Sequence, residues 1–218
     1  MKLVERDFKV FREIERWRFC LGRHIQFLAG FASLSVCDRR LKKLLSEDYL
    51  TRKMVLYGVP NVYQLTRKAK TLISANQRQD KIRLDQIMHD VTVLDTAIRM
   101  MKSLEIEPEN IKTAKQLHQE EGFGTRTHQP DFVFTKGKKT YCVEVELSLK
   151  SKARLEKNIA FNFLKYDTQI WVTDKNEAKL KRILEQYKIQ FPNIEITNVK
   201  EVQNDTFKLI KPDCTAEQ

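Results

Sequence analysis

No stretch of the sequence approaches the roughly 18 consecutive apolar residues needed to span a bilayer, and the opening "MKLVERDFKV" lacks the apolar core of a signal peptide. A cytoplasmic protein without membrane insertion is therefore expected. Cysteine is sparse and scattered: Cys20, Cys37, Cys142 and Cys214 form no C-x-x-C pair, which argues against a zinc ribbon or a disulfide framework and leaves buried free thiols as the reading. The four histidines, His24, His89, His118 and His128, are equally dispersed. Without H-x-H or H-E-x-x-H spacing, no single element gathers imidazoles around a metal. There is no internal repeat and no low-complexity tract, and nothing in the composition suggests disorder.

What is abundant is positive charge. The 218 residues carry a formal net charge of +11 with a pI near 9.5, which points to a polyanionic partner, either nucleic acid or an anionic membrane surface. The charge is uneven. Residues 1–80 hold 17 Lys and Arg against 8 Asp and Glu, whereas residues 81–218 hold 23 against 21, so the electrostatic footprint lies in the first third. With 41% hydrophobic residues, the chain has apolar material for one large or two small domains.

In that first third, Phe8, Phe11, Ile14 and Trp17 recur at helical spacing with Asp7 as the expected N-cap. "RHIQFLAGF" reads as a second helix ending near Gly30, and "SLSVCDRRLKKLLSEDYL" as a third capped by Ser33. The third helix puts Leu34, Cys37, Leu41 and Leu44 on one face. Two β-prone runs then flank "YGVPN", whose Gly58 and Pro60 supply a turn. Three helices followed by a β-ribbon outline a winged helix-turn-helix over residues 1–73. Such a module lays its third helix in the major groove, so Arg39, Arg40, Lys42 and Lys43 are expected against DNA, with Arg52 and Lys53 on the wing. Taken alone, "RRLKK" reads as a solvated helix face, and some winged helices bind protein. The order of elements and the local charge favour double-stranded DNA.

A linker is expected at 74–84, a second domain at 85–210 and a frayed tail at 211–218. Ile87, Val91, Leu94, Ile98 and Met101 form a helical stripe able to cover one face of that second domain, with His89-Asp90 near its start. Further on, "DFVFTKG" and "KTYCVEVEL" alternate as two strands of a hairpin around Gly137. In the second strand Cys142, Glu144 and Glu146 share one side and Tyr141, Val143 and Val145 the other; the two glutamates stand about 6–7 Å apart at Cα. Unpaired, they repel. A hard divalent cation is the economical remedy, and Asp131, at the start of the partner strand, closes the same cluster.

After these strands the pattern helix, strand, helix, strand completes an α/β (α+β) sandwich. Asp131, Glu144 and Glu146 would ligate Mg²⁺ or Mn²⁺, while Lys150 or Lys152 would offset charge on a scissile phosphate. Against this stands the plain alternative that the acids are surface residues paired with Lys136, Lys138 or Lys139.

Pro130-Asp131 followed by Glu144-Val145-Glu146 resembles the PD-(D/E)xK signature of the restriction-endonuclease-like superfamily, departing from it where Glu146 replaces the usual lysine. A winged helix, a connecting helix with His89-Asp90 and this acidic pattern together resemble the replication-relaxation group, and within it the MOBC-class plasmid relaxases, over roughly residues 6–200. The resemblance implies binding to an origin of transfer, a metal-dependent nick in one strand, and conjugative delivery, with relaxosome accessory and coupling proteins as further partners. Two alternatives stay open: a DNA-binding regulator or replication accessory protein with an inactive nuclease fold, and a transposon-end endonuclease, in which the domain order is reversed. Either metal-activated water or a tyrosine could serve as nucleophile; Tyr141 is expected to point away from the acids and Tyr166 to lie at the far end of the next helix.

Overall fold

The apolar spacing of "ERDFKVFREIERW" forms α1 (Glu5–Trp17), which buries Val10, Phe11, Ile14 and Trp17. The computed structural model describes residues 1–55, 57–58, 60–122, 127–174 and 177–203; Cys214 and the expected tail at 211–218 lie outside them. The start of α1 differs from expectation. Val4 is the N-cap, and Asp7 sits in the first turn, where its Oδ2 accepts the Val4 N–H at 2.8 Å. A carboxylate there satisfies a helix-end donor and faces the positive end of the helix dipole.

α2 (Gly22–Leu28) and α3 (Leu34–Ser46) follow, and the Ser33 hydroxyl accepts the Val36 N–H at 3.3 Å as the cap of α3. Cys37, Leu41 and Leu44 face inward, but Leu34, the first helical residue, is 46% exposed at the helix end. The ribbon forms as β2 (Leu50–Lys53) and β3 (Val62–Leu65), and Gly58 adopts φ +81° in the turn between them. A two-residue strand, β1 (Cys20–Leu21), completes an antiparallel sheet of order β1-β3-β2. α4 (Arg67–Leu72) is capped by Thr66, and residues 73–86 carry neither helix nor strand.

The stripe Ile87, Val91, Leu94, Ile98 and Met101 is buried along α5 (Ile87–Ser103). Beyond a 3-10 turn at Pro108–Asn110, a short β4 (Ile111–Thr113) and α6 (Ala114–Glu121) precede the hairpin of β5 (Phe132–Lys136) and β6 (Lys139–Glu146). Then come α7 (Lys152–Lys165), β7 (Thr168–Thr173), α8 (Ala178–Gln190), β8 (Ile194–Asn198) and α9 (Val199–Gln203). The second sheet runs β4-β5-β6-β7-β8, antiparallel from β4 to β6 and parallel from β6 to β8. Its middle strand, β6, is covered on both faces. Val143 and Val145 join Ile170, Val172 and α5 on one side; on the other, Trp171 packs with Leu155 and Ile159 of α7 and Leu180 and Leu184 of α8. Phe163 on α7 is 39% exposed and meets Phe191 edge-on at 5.2 Å.

One apolar core joins the two sheets. It runs from Val10 and Phe11 of α1 through Leu94 and Met101 of α5 to Phe132 and Val143, with Trp17 edge-on to Phe132 at 6.4 Å. Polar contacts reinforce the junction. Arg16 donates to the carbonyls of Pro108 and Ile111, both at 2.6 Å, and Lys115 donates to Glu15 Oε1 at 2.7 Å. Among the described residues no helix is long and apolar enough to cross a membrane.

Candidate functional site

The period of two along β6 puts Glu144 and Glu146 on the side covered by α7, where they are only 4% and 3% exposed. Buried carboxylates need partners, and each has one. Asn162 Nδ2 of α7 donates to Glu144 Oε1 at 2.9 Å, and His128 Nε2 contacts the same oxygen. The His128 ring is held edge-on to Phe161, with centroids 5.9 Å apart. Glu146 forms an ion pair with Lys150 Nζ at 2.5 Å. Asp131 sits just before β5, donates its N–H to Val143 O at 3.1 Å, and accepts the Val145 N–H through Oδ2 at 2.7 Å.

The three acids are close enough to feel one another. Burial raises the Glu146 pKa first, and the charges of Glu144 and Asp131 push it further, while Lys150 pulls it down. A second cation stands at Asp131. His89 Nε2 lies 2.9 Å from Val145 O and 3.6 Å from Asp131 Oδ2, and Nδ1 lies 3.4 Å from Asp90 Oδ1. Burial lowers the His89 pKa, but Asp131 and Asp90 outweigh it and carry the value up to about 10. The direct hydrogen bond from Nε2 is to the carbonyl, so Asp131 acts mainly through its charge. His89 is an imidazolium at neutral pH.

Of the two lysines in the sequence reading, Lys150 therefore reaches the acids, whereas Lys152 is exposed at the start of α7. Lys136 donates to Leu104 O at 2.9 Å and is not an acid's partner. As the side chains stand, no group of three or more His, Cys, Asp or Glu among the described residues is gathered in a metal-holding arrangement. The donor set itself, three carboxylates of which Glu144 and Asp131 raise the proton affinity of Glu146, has the chemistry that suits a hard divalent cation. Tyr141 stacks on Phe134 at 4.8 Å in the opposite core. The Tyr166 hydroxyl is buried, and burial followed by Cys142, Glu121 and Glu144 holds it well above the usual phenol pKa. Sequence reasoning missed His128 and Asn162. His128 was within reach as the residue two before Pro130, but Asn162 carries no motif.

On the basic face, Arg39, Lys42 and Lys43 are exposed on α3, and Arg52 and Lys53 are exposed on β2. With Arg6 they surround a groove of about 790 Å³ over Phe31 or extend its charge onto the ribbon. Arg40 differs: its guanidinium turns inward to the buried Asp7. The free thiols Cys20, Cys37 and Cys142 are buried. No protein family, no curated protein and no solved structure matches the chain.

Proposed function

We propose that the chain is a DNA-nicking endonuclease of the plasmid-mobilisation relaxase kind, in which a winged helix-turn-helix holds an origin of transfer and a PD-(D/E)xK-like centre cuts one strand. One observation carries the reading: Asp131, Glu144 and Glu146 lie at the same end of two neighbouring strands, near enough that the charges of the first two raise the pKa of the third. Two buried carboxylates beside a half-buried third, held against their own repulsion, are a common mark of a functional site. The antiparallel ribbon behind a helix bearing Arg39, Lys42 and Lys43 supports the DNA-binding half.

Asp131, Glu144 and Glu146 would hold Mg²⁺ or Mn²⁺, which polarises a phosphate and makes water nucleophilic at neutral pH. Asn162 and the Val145 N–H orient the carboxylates. The His89 imidazolium stands 3.6 Å from Asp131 Oδ2, and Lys150 would offset charge on the scissile phosphate. The packed surroundings of Tyr141 and the high pKa of Tyr166 favour water as nucleophile. Relaxosome accessory and coupling proteins would be the macromolecular partners.

A DNA-binding regulator with an inactive nuclease fold is the second reading. It is favoured by Glu146 standing where the pattern has lysine and by the ion pair that engages its carboxylate. Nicking of supercoiled plasmid carrying the cognate transfer origin, with Mg²⁺ or Mn²⁺, separates the two. The nickase reading expects relaxation by the wild type and binding without cutting by Glu144→Gln. Wild-type binding without a nick in either metal would leave the regulator.

A further inference from the structure

α1 ends at Trp17, and the next residue, Arg18, adopts φ +68° and ψ −34°. A side chain with a β-carbon is rarely held there, and such strain persists where surrounding structure imposes it. The imposing contacts are adjacent: Arg16 ties the last turn of α1 to the carbonyls of Pro108 and Ile111, and Lys115 ties it to Glu15. Those two cations are thereby used up. Arg18 is exposed, and its guanidinium has no hydrogen-bond or ion-pair partner among the described residues.

Two cavities meet at Arg18. The inner one, of about 40 Å³, is lined by Arg18 and Lys115 together with Asp90 and with Asp131, the one member of the acid trio it reaches. The outer one, a cleft of about 590 Å³, is lined by Arg18, Lys115, His118 and Gln119. They share Arg18, Ala114 and Lys115 as walls. A cleft with an unpaired guanidinium outside and carboxylates within has the polarity of a phosphodiester track: the fork of Arg matches phosphate oxygens, and the acids repel the strand unless its phosphate is otherwise neutralised.

We infer that Arg18 binds a backbone phosphate of the DNA beside the position to be cut, so that the strand enters along the cleft between the end of α1 and α6. The inference rests on the acids being a nuclease centre. It adds a contact from the N-terminal half that sequence spacing does not reveal, because Arg18 and Asp131 are brought together only by the fold.

The test uses the full chain and a fluorescein-labelled random duplex of about 30 base pairs, with anisotropy followed from about 50 to 200 mM salt, a range over which each phosphate contact is readable as slope. Arg18→Asn is the main variant, because Asn tolerates positive φ. Arg18→Lys restores the charge, and Lys181→Asn on α8 controls for lost net charge. Arg18→Asn is expected to reduce the slope of log K against log salt by about one, Arg18→Lys to restore it, and Lys181→Asn to leave it unchanged. Arg18→Asn should also slow origin nicking at least about tenfold, with an unaltered thermal melt. Wild-type slope and nicking in Arg18→Asn would overturn the inference. A reduced slope with no nicking by the wild type would keep the phosphate contact and remove the nuclease reading.

Discussion

Arg40 on α3 is held by Asp7 on α1: its Nε donates to Asp7 Oδ1 at 2.7 Å, Nη2 reaches Asp7 Oδ2, and Asp7 is fully buried. The charge run "RRLKK" thus divides by environment. Arg39, Lys42 and Lys43 face solvent, whereas Arg40 neutralises a carboxylate that also binds the first turn of α1 through the Val4 N–H. Removing one member of such a pair strands a buried charge.

Arg40→Gln is therefore expected to lower stability by about 3 kcal/mol in urea denaturation and to leave the salt dependence of DNA binding unchanged. Lys42→Gln is expected to do the reverse, holding stability within about 0.5 kcal/mol and reducing the salt slope by about one. Equal loss of slope in both variants would mean that Arg40 also contacts DNA.

His24 carries the pH prediction. The Leu21 N–H donates to its Nδ1 at 3.2 Å, so Nε2 holds the proton and donates to Asp95 Oδ1 at 2.8 Å. Burial lowers the His24 pKa below its ordinary value, the opposite of what an ion pair would do, and the imidazole is neutral in the fold. Asp95 is held down at about 2, because hydrogen bonds from His24 and Arg23 outweigh the effect of its burial. Below about pH 6.5, the unfolded chain binds a proton at His24 that the fold resists, so stability falls as pH falls; the Asp95 contribution is lost only between about pH 4 and about 2. Between pH 7 and 5 the wild type should lose about 1 kcal/mol more than His24→Gln in urea titrations. Parallel losses in the two proteins would show that His24 is protonated in the fold.

The two lysines after β6 make a third comparison. Lys150→Gln leaves Glu146 buried without its cation and removes the charge beside the acids, so nicking should fall about 10²-fold. Lys152→Gln, at an exposed position, should nick within about twofold of wild type. The reverse ranking in a single-turnover nicking assay would move the phosphate-neutralising role to α7.

How much of this was readable beforehand depends on range. The α5 stripe and the shared side of Glu144 and Glu146 follow from periods of 3.6 and 2, and both stand in the fold. β1 and β4 have two and three residues, too few for alternation to show, so the third strand of one sheet and the edge of the other were missed. The pairing of Arg40 with Asp7 is invisible in the charge run, because the partner lies 33 residues away on a helix whose position against α3 no local pattern encodes. His128, just before β5, and Asn162, on α7, reach Glu144 from 16 and 18 residues away on opposite sides of the sequence, a convergence that only the fold sets.

The junction in which Trp17 meets Phe132 and Arg16 grips Pro108 and Ile111 has a consequence for any strand held by α3. Because one apolar core runs from α1 and α3 to β5 and β6, packing sets the separation between α3 and the acids, like the gap between the jaws of a locked caliper. A nick would then fall a constant number of base pairs from the bound sequence, and that number would survive changes in the intervening bases.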